Sequence, residues 1–293
     1  MHDSTGDGWL AHFLHGTSTL LQIQRPEALT LPNAQSTKRQ SFFLATRIFE
    51  ISRSLIFSSP TFLSSLEWTT ALANFWHTNG AALWHPKEAL FDLLPLIADL
   101  SIRVAQFCKN VSQLPPQEYD LQVLAFGSKG LHMQESLQQW WTTASAWEDE
   151  LETQITSPHG ARTPDKELLI GHIYYHSISI YLSGTFDYHA HWDSTPAPIL
   201  PQTTIEWHVR EILDVCYKLL DQGVAGVLLF FPLRIAGARA VDSDTRAAIL
   251  SLLQTTSNRG YVVADAFTAD LSQLWWSCER SDSECGAFDV ICR

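Results

Sequence analysis

The sequence has 293 residues, of which 45% are hydrophobic and 17% are charged, a composition typical of folded proteins and not of disordered chains. Its net charge of −12, from 19 basic and 31 acidic residues, repels phosphate backbones, so we expect no direct nucleic-acid binding. No apolar run is long enough to cross a bilayer, and the first residues lack the basic and apolar regions of a secretory signal. These features predict a cytoplasmic or nuclear protein with no membrane partner.

The predicted elements are all helical. Apolar residues recur at a helical period in successive segments, and no alternating strand pattern joined by hairpin turns is found. Pro86 suits a first helical position, and Thr163 is a predicted N-cap followed by Pro164. The predicted helices before the last quarter of the chain span residues 9–24, 42–57, 62–77, 86–109, 131–156, 167–183 and 205–220.

The last part of the chain, residues 223–276, predicts three more helices. An apolar run over 224–235 is too apolar for a surface and predicts a helix buried by its neighbours. A charged turn at 242–244 can cap the next helix, and an amphipathic segment at 261–276 follows. The whole pattern predicts an all-α protein of about ten antiparallel-packed helices in a single domain over 1–293, with a Pro-rich loop near 194–203.

Several of these segments, taken in order, carry a family resemblance. The closing segments are FFPLRIAGARA (230–240) and GYVVADAFTADLSQLWW (260–276). Earlier blocks are GWLAHFLHG (8–16), RIFEISRSLIFSSPTFLSSLEW (47–68) and HPKEALFDLLPLIADLSIRV (85–104). The ordered set resembles the regulatory domain of fungal zinc-cluster transcription factors over most of the chain.

The resemblance implies a helical regulatory fold. Zinc-cluster factors also carry an N-terminal module of six cysteines, and the five cysteines here, at 108, 216, 278, 285 and 292, do not have that spacing. We therefore expect a stand-alone regulatory-type domain that does not read DNA by itself. The absence of a CxxC pair also argues against a zinc ribbon, and we expect reduced, unpaired thiols.

Side chains able to support chemistry concentrate on one predicted helix. His172 and His176 are four residues apart and share a face, and Asp187, His189 and His191 follow where the chain could fold back. Such a set is zinc-like in type, but it matches no zinc motif, so we predict no metal. Hydrogen-bonded structural histidines and a general acid–base role are the other interpretations.

Arg234 lies inside an apolar segment, where an unpaired guanidinium is costly to bury. It would therefore form an ion pair with a carboxylate of another helix, or orient a ligand carboxylate or carbonyl. Aromatic residues could line a hydrophobic cavity between helices or simply fill the core. The predicted substrate-binding residues are Trp140, Trp141, Tyr174, Tyr175, Tyr181, Phe230, Phe231 and Trp275.

Two functional hypotheses follow. In the first, the domain is an enzyme of fungal secondary metabolism that binds a hydrophobic small molecule, with His172, His176 and Arg234 as catalytic residues. Because nucleotide-binding and serine-nucleophile motifs are absent, the reaction would be a cofactor-free isomerisation or cyclisation, including a pericyclic one of the Diels–Alder type. In the second, the domain is a non-catalytic transcriptional regulator that acts as a homodimer or through a regulatory protein partner.

Overall fold

The computed structural model describes residues 7–23, 25–29, 34–79, 85–154 and 165–284, and over these residues the chain is all-α, as predicted, with no strand. The ten helices of the described residues are α1 (Asp7–Gln22), α2 (Ala34–Phe57), α3 (Leu66–Asn79), α4 (Pro86–Asn110), α5 (Pro116–Gln154), α6 (Lys166–Asp187), α7 (Gln202–Asp221), α8 (Phe230–Arg239), α9 (Ser243–Asn258) and α10 (Val263–Glu284). None of the helices within these ranges is long and apolar enough to cross a membrane.

The centre of the fold is α6, which contacts α4, α5, α7 and α8. Most residues of α6 are buried, because it is apolar around nearly its whole circumference and can only be stable when other helices surround it. The short helix α8 is also buried, as predicted for the apolar run, and contacts α6, α7 and α10. The last quarter of the chain therefore packs over the core, and α6 lies at the centre of that core.

The starts of α4 and α6 are fixed by side-chain caps. Pro86 is the first residue of α4, as predicted, and the His85 ring accepts a hydrogen bond from the Lys87 amide. At α6 the N-cap is Asp165, whose Oδ1 accepts from the Glu167 amide at 2.9 Å. A cap at residue 163 would put Asp165 inside the first turn, whereas in the structure Asp165 is itself the cap. The predicted cap, at residue 163, lies outside the described residues.

The helix α5 is longer than predicted. It begins at Pro116 and not near residue 131, because its two glycines are sites of close packing and not breaks. A Cβ at Gly130 would lie 2.7 Å from the Phe186 ring and 2.9 Å from Pro198, and one at Gly127 would collide with the Pro196 carbonyl. The predicted Pro-rich loop therefore crosses α5 at its glycines.

Three further boundaries differ from the prediction. Helix α2 begins at Ala34, eight residues before the predicted start at 42. The predicted helix 62–77 is a 3₁₀ turn followed by α3. The predicted helix 224–235 is divided into a 3₁₀ turn, Gly226–Leu229, and α8. This division places Pro232 in the first turn of α8, where its missing N–H costs no helical hydrogen bond.

A buried ion network joins α2 to α4. Arg47 is 1% exposed, and its guanidinium pairs with Glu88 at 2.7 Å and with Asp92. The spacing of Arg47, Glu50 and Arg53 along α2 suggests a ladder on the same helix, but only Arg53 pairs with Glu50. Arg47 instead reaches α4, because a buried guanidinium needs carboxylates within the core.

Candidate functional site

Seven side chains from α5, α6 and α7 form what we call the aromatic–histidine cluster. The rings of Trp141 and Tyr175 stack with centroids 4.6 Å apart, and Trp140 also stacks with Tyr175, at 5.5 Å. Spacings of three and four residues place His172, Tyr175 and His176 on the same side of α6. The members are Trp140, Trp141, His172, Tyr175, His176, Trp207 and His208.

At the base of the cluster, two buried histidines share one hydrogen bond. Nδ1 of His176 lies 2.8 Å from Nδ1 of His208, and the two residues are 1% and 3% exposed. One nitrogen donates and the other accepts, so the bond requires that at least one ring is neutral. Burial lowers the pKa of His208 to about 4. Burial, and then the neighbouring His208, lower the pKa of His176 as well, so we assign both rings as neutral at pH 7.

His172 lies one turn before His176 and carries an unused polar atom. Its ring is 5.0 Å from the ring of Trp141. Burial, and then the positive charge of Lys218, lower the pKa of His172 to about 4. Among the described residues its buried Nε2 has no hydrogen-bond partner. Such an unsatisfied group costs about 1–3 kcal/mol, so this atom is the strongest candidate in the cluster for contact with a ligand.

Arg234 does not belong to the cluster. Its Nη1 donates to the carbonyl of Ile56 at 2.7 Å, in the last turn of α2. A cation at the C-terminal end of a helix compensates both a free carbonyl and the helix dipole. Within the described residues Arg234 forms no ion pair with a carboxylate, so the backbone of α2 takes the place of the predicted ion pair.

The predicted catalytic and aromatic residues are divided among several places. Trp140, Trp141 and Tyr175 lie in the cluster with His172 and His176. Tyr174 and Tyr181 instead face α8, and each ring is 5.9 Å from the ring of Phe231.

The remaining predicted aromatic residues lie farther along the chain. Phe230 stacks on Phe267 of α10 at 4.9 Å, and the Trp275 indole donates to the Gly237 carbonyl at 2.8 Å. Arg234 is a residue of α8 and contacts the end of α2. The structure therefore does not bring Arg234 together with His172 and His176.

The histidines after α6 do not fold back to the cluster. Asp187 pairs with Arg239 at 2.9 Å, and the His191 ring lies 3.2 Å from the Tyr119 hydroxyl. Asp187 lies eleven positions after His176 along α6, which is about 16 Å along the helix axis. In the described part of the chain no three potential ligands are close enough to hold a metal ion.

Sequence reasoning missed Trp207 and His208 as members of the site. His208 lies on the apolar face of α7 between Ile205 and Ile212, and a histidine at such a position is a signal of a buried polar contact. The contact with His176 depends on how α7 packs against α6, which a helical period does not specify.

Comparison with known proteins gives the family. The model of the fungal specific transcription factor domain matches residues 1–275 of the chain. No curated protein and no solved structure matches the chain significantly. The match covers nearly the whole sequence, and the described fold is all-helical, as the order of the sequence blocks implied. The chain therefore belongs to the family of the fungal specific transcription factor domain.

Proposed function

We propose that the protein is a regulatory domain that binds a small, flat, neutral molecule at the aromatic–histidine cluster. The observation that carries this proposal is the buried Nε2 of His172, which has no partner in the described residues and lies beside Trp141. A hydroxyl or carbonyl group on a ligand would satisfy that nitrogen, and the indole faces would contact an apolar ring system.

The charge state of the cluster favours a neutral ligand. The lowered pKa values of His172 and His208 leave their rings uncharged at pH 7. These histidines therefore cannot form an ion pair with an anionic ligand. Lys218, the charged group that acts on His172, is half exposed and pairs with Asp214 at 3.2 Å. An ionised ligand would therefore lose its hydration without a compensating partner.

A ligand bound at the aromatic–histidine cluster can affect the packing of most core helices. Such an effect would allow the ligand to regulate the domain. The cluster joins α5, α6 and α7, and α6 in turn contacts α4 and α8. A ligand that favours one packing of α7 on α6 shifts the equilibrium between packings by its difference in affinity for them. Regulation through the domain would follow from that shift.

Calorimetric titration with 2-naphthol, a flat molecule with one hydroxyl group, tests the proposal. We expect saturable binding with a stoichiometry of one, and an affinity about tenfold lower in His172→Phe, since one hydrogen bond and an unsatisfied nitrogen are together worth one to a few kcal/mol. The control is Arg234→Met, which should bind like the wild type because Arg234 contacts α2 and not the cluster. Equal affinities in the wild type and His172→Phe would reject the site.

Catalysis at the same cluster is a second proposal. It is favoured by the lowered pKa values of His172 and His208, which leave both imidazoles unprotonated at pH 7. A general base must be unprotonated before it can accept a proton. A cofactor-free isomerisation or cyclisation would then use these histidines without Arg234. The flat, base-labile compound 5-nitrobenzisoxazole is a suitable probe. Ring opening faster than with free imidazole and abolished in His172→Phe would support catalysis, whereas a rate equal to that of imidazole would exclude a functional base in the cluster.

A further inference from the structure

The N-terminal half of α5 carries an exposed apolar stripe. Leu121, Leu124 and Leu131 are 68%, 54% and 36% exposed. At about 100° per residue, these leucines and the exposed Ser128 fall within about 80° of the helix circumference. Steps of three, four and three residues are the a/d spacing of helices that pair with other helices. We call these four residues the α5 stripe.

The α5 stripe is not turned towards the described core. The inward residues of this half of the helix are Val123, Gly127 and Gly130, which are buried beneath the loop that follows α6. Single exposed leucines are ordinary on a protein surface, but three of them along one line of one helix, interrupted only by Ser128, form an extended apolar face.

Two opposite charges beside the stripe indicate what covers it. Glu118 and Lys129 lie on the same side of the stripe, at about 60° and 80° from Leu121. The midpoint of residues 118 and 129 falls between Val123 and Leu124. When two identical helices pair antiparallel about that midpoint, flanking positions on the same side face each other, so Glu118 meets Lys129 of the partner subunit, and the contact occurs twice.

Both charges are available for such a contact. Lys129 forms no ion pair within the described residues, and Glu118 accepts one hydrogen bond, at 3.1 Å from Gln122, which leaves its second oxygen free to accept. A parallel pairing in register would place each of these side chains beside its own equivalent and away from the opposite charge. Charge complementarity therefore favours a second copy of this chain in the antiparallel orientation.

We propose that the α5 stripe is a homodimer interface in which two α5 helices pair antiparallel around Leu124. The paired segments, residues 116–131, are about 24 Å long. One side of a helix of this length buries less surface than the roughly 800 Å² per partner of a standard protein–protein interface. The dimer is therefore weak and reversible, with a dissociation constant on the order of micromolar. This interface is independent of the ligand proposed for the aromatic–histidine cluster.

Sedimentation velocity of the full chain over about 1–200 µM tests for the dimer at the affinity expected. The wild type should change from monomer to dimer over this range, and Leu124→Glu should weaken association at least tenfold. The matched control is Leu66→Glu on α3, where the leucine is 82% exposed and lies outside the stripe, so association should not change. A wild type that stays monomeric over the whole range would overturn the proposal.

A charge exchange tests the antiparallel orientation. Glu118→Lys and Lys129→Glu should each weaken the dimer severalfold, since each brings like charges together, and the double variant should restore the wild-type affinity. Neither of the two positions is buried, so circular dichroism should show unaltered folding in all three variants. A double variant no stronger than the single variants would contradict the pairing of Glu118 with Lys129.

Discussion

The histidine pair of the aromatic–histidine cluster couples the stability of the fold to pH. His176 and His208 share one hydrogen bond that is lost when both rings take a proton, and His172 lies one turn away in the same aromatic surroundings. For all three residues the folded-state pKa lies below the ordinary value of 6.5. The unfolded chain therefore binds more protons than the folded one below that pH, and the stability that is complete above pH 7 is lost as pH falls.

The free energy of unfolding should consequently decrease between pH 6.5 and 5, above the range where most carboxylates titrate. Each of the three histidines adds a slope of up to about 1.4 kcal/mol per pH unit. Urea titrations at several pH values measure this slope. His172→Phe should reduce the slope by the contribution of one of the three histidines. The exposed His132 provides the control, because His132→Gln should leave the slope unchanged. A wild-type stability independent of pH in this window would show that the cluster is not neutral when folded.

At the scale of the helices, close packing at α5 overrides local propensity. Alanine is favoured over glycine in a helix by about 1 kcal/mol, but a Cβ at Gly130 would lie 2.7 Å from the Phe186 ring and 2.9 Å from Pro198. Gly130→Ala should therefore destabilise the protein by about 1–3 kcal/mol in urea titrations, the cost typical of overpacking.

The control for this substitution is Gly16→Ala in α1, where an added Cβ meets nothing within 4 Å. That variant should gain up to about 1 kcal/mol from helix propensity alone. If Gly130→Ala were as stable as Gly16→Ala, the loop after α6 would not be packed against α5 as the structure describes.

The helices that the sequence predicted well are those whose apolar period is regular over most of their length. The long helix α4, with its start at Pro86, is such a case, although Pro95 lies inside it. The start of α5 was missed because Gly127 and Gly130 are signals of a break unless another segment lies against them. The pairing of Arg47 with α4 was missed for a related reason. A spacing of three residues shows which side chains can pair along the same helix, but it does not show which other helix packs against them.

The candidate site was predictable only in part. The period along α6 placed His172 and His176 together, but it could not show that Arg234 contacts the end of α2. Nor could it show that His208 reaches His176 from α7. These contacts are set by the packing of helices distant in sequence, and the residues of one helix carry little information about its neighbours.

At the scale of the whole molecule, the family and the fold describe a regulatory-type helical domain around α6. The proposed ligand site is formed by α5, α6 and α7, and the proposed dimer contact lies near the other end of α5. Both places are therefore on one rigid element of 39 residues. The two sites use different segments of that helix, so each is testable without the other.

The affinity ratio of 2-naphthol to naphthalene is the most direct test of the central claim, that a ligand hydroxyl or carbonyl group satisfies the His172 nitrogen that has no partner among the described residues. The two molecules share their ring system and differ by one hydroxyl. Calorimetry should give a ratio of about ten in the wild type and about one in His172→Phe, since the hydroxyl then has no partner. A ratio that is the same in both proteins, whether large or near one, would contradict the claim.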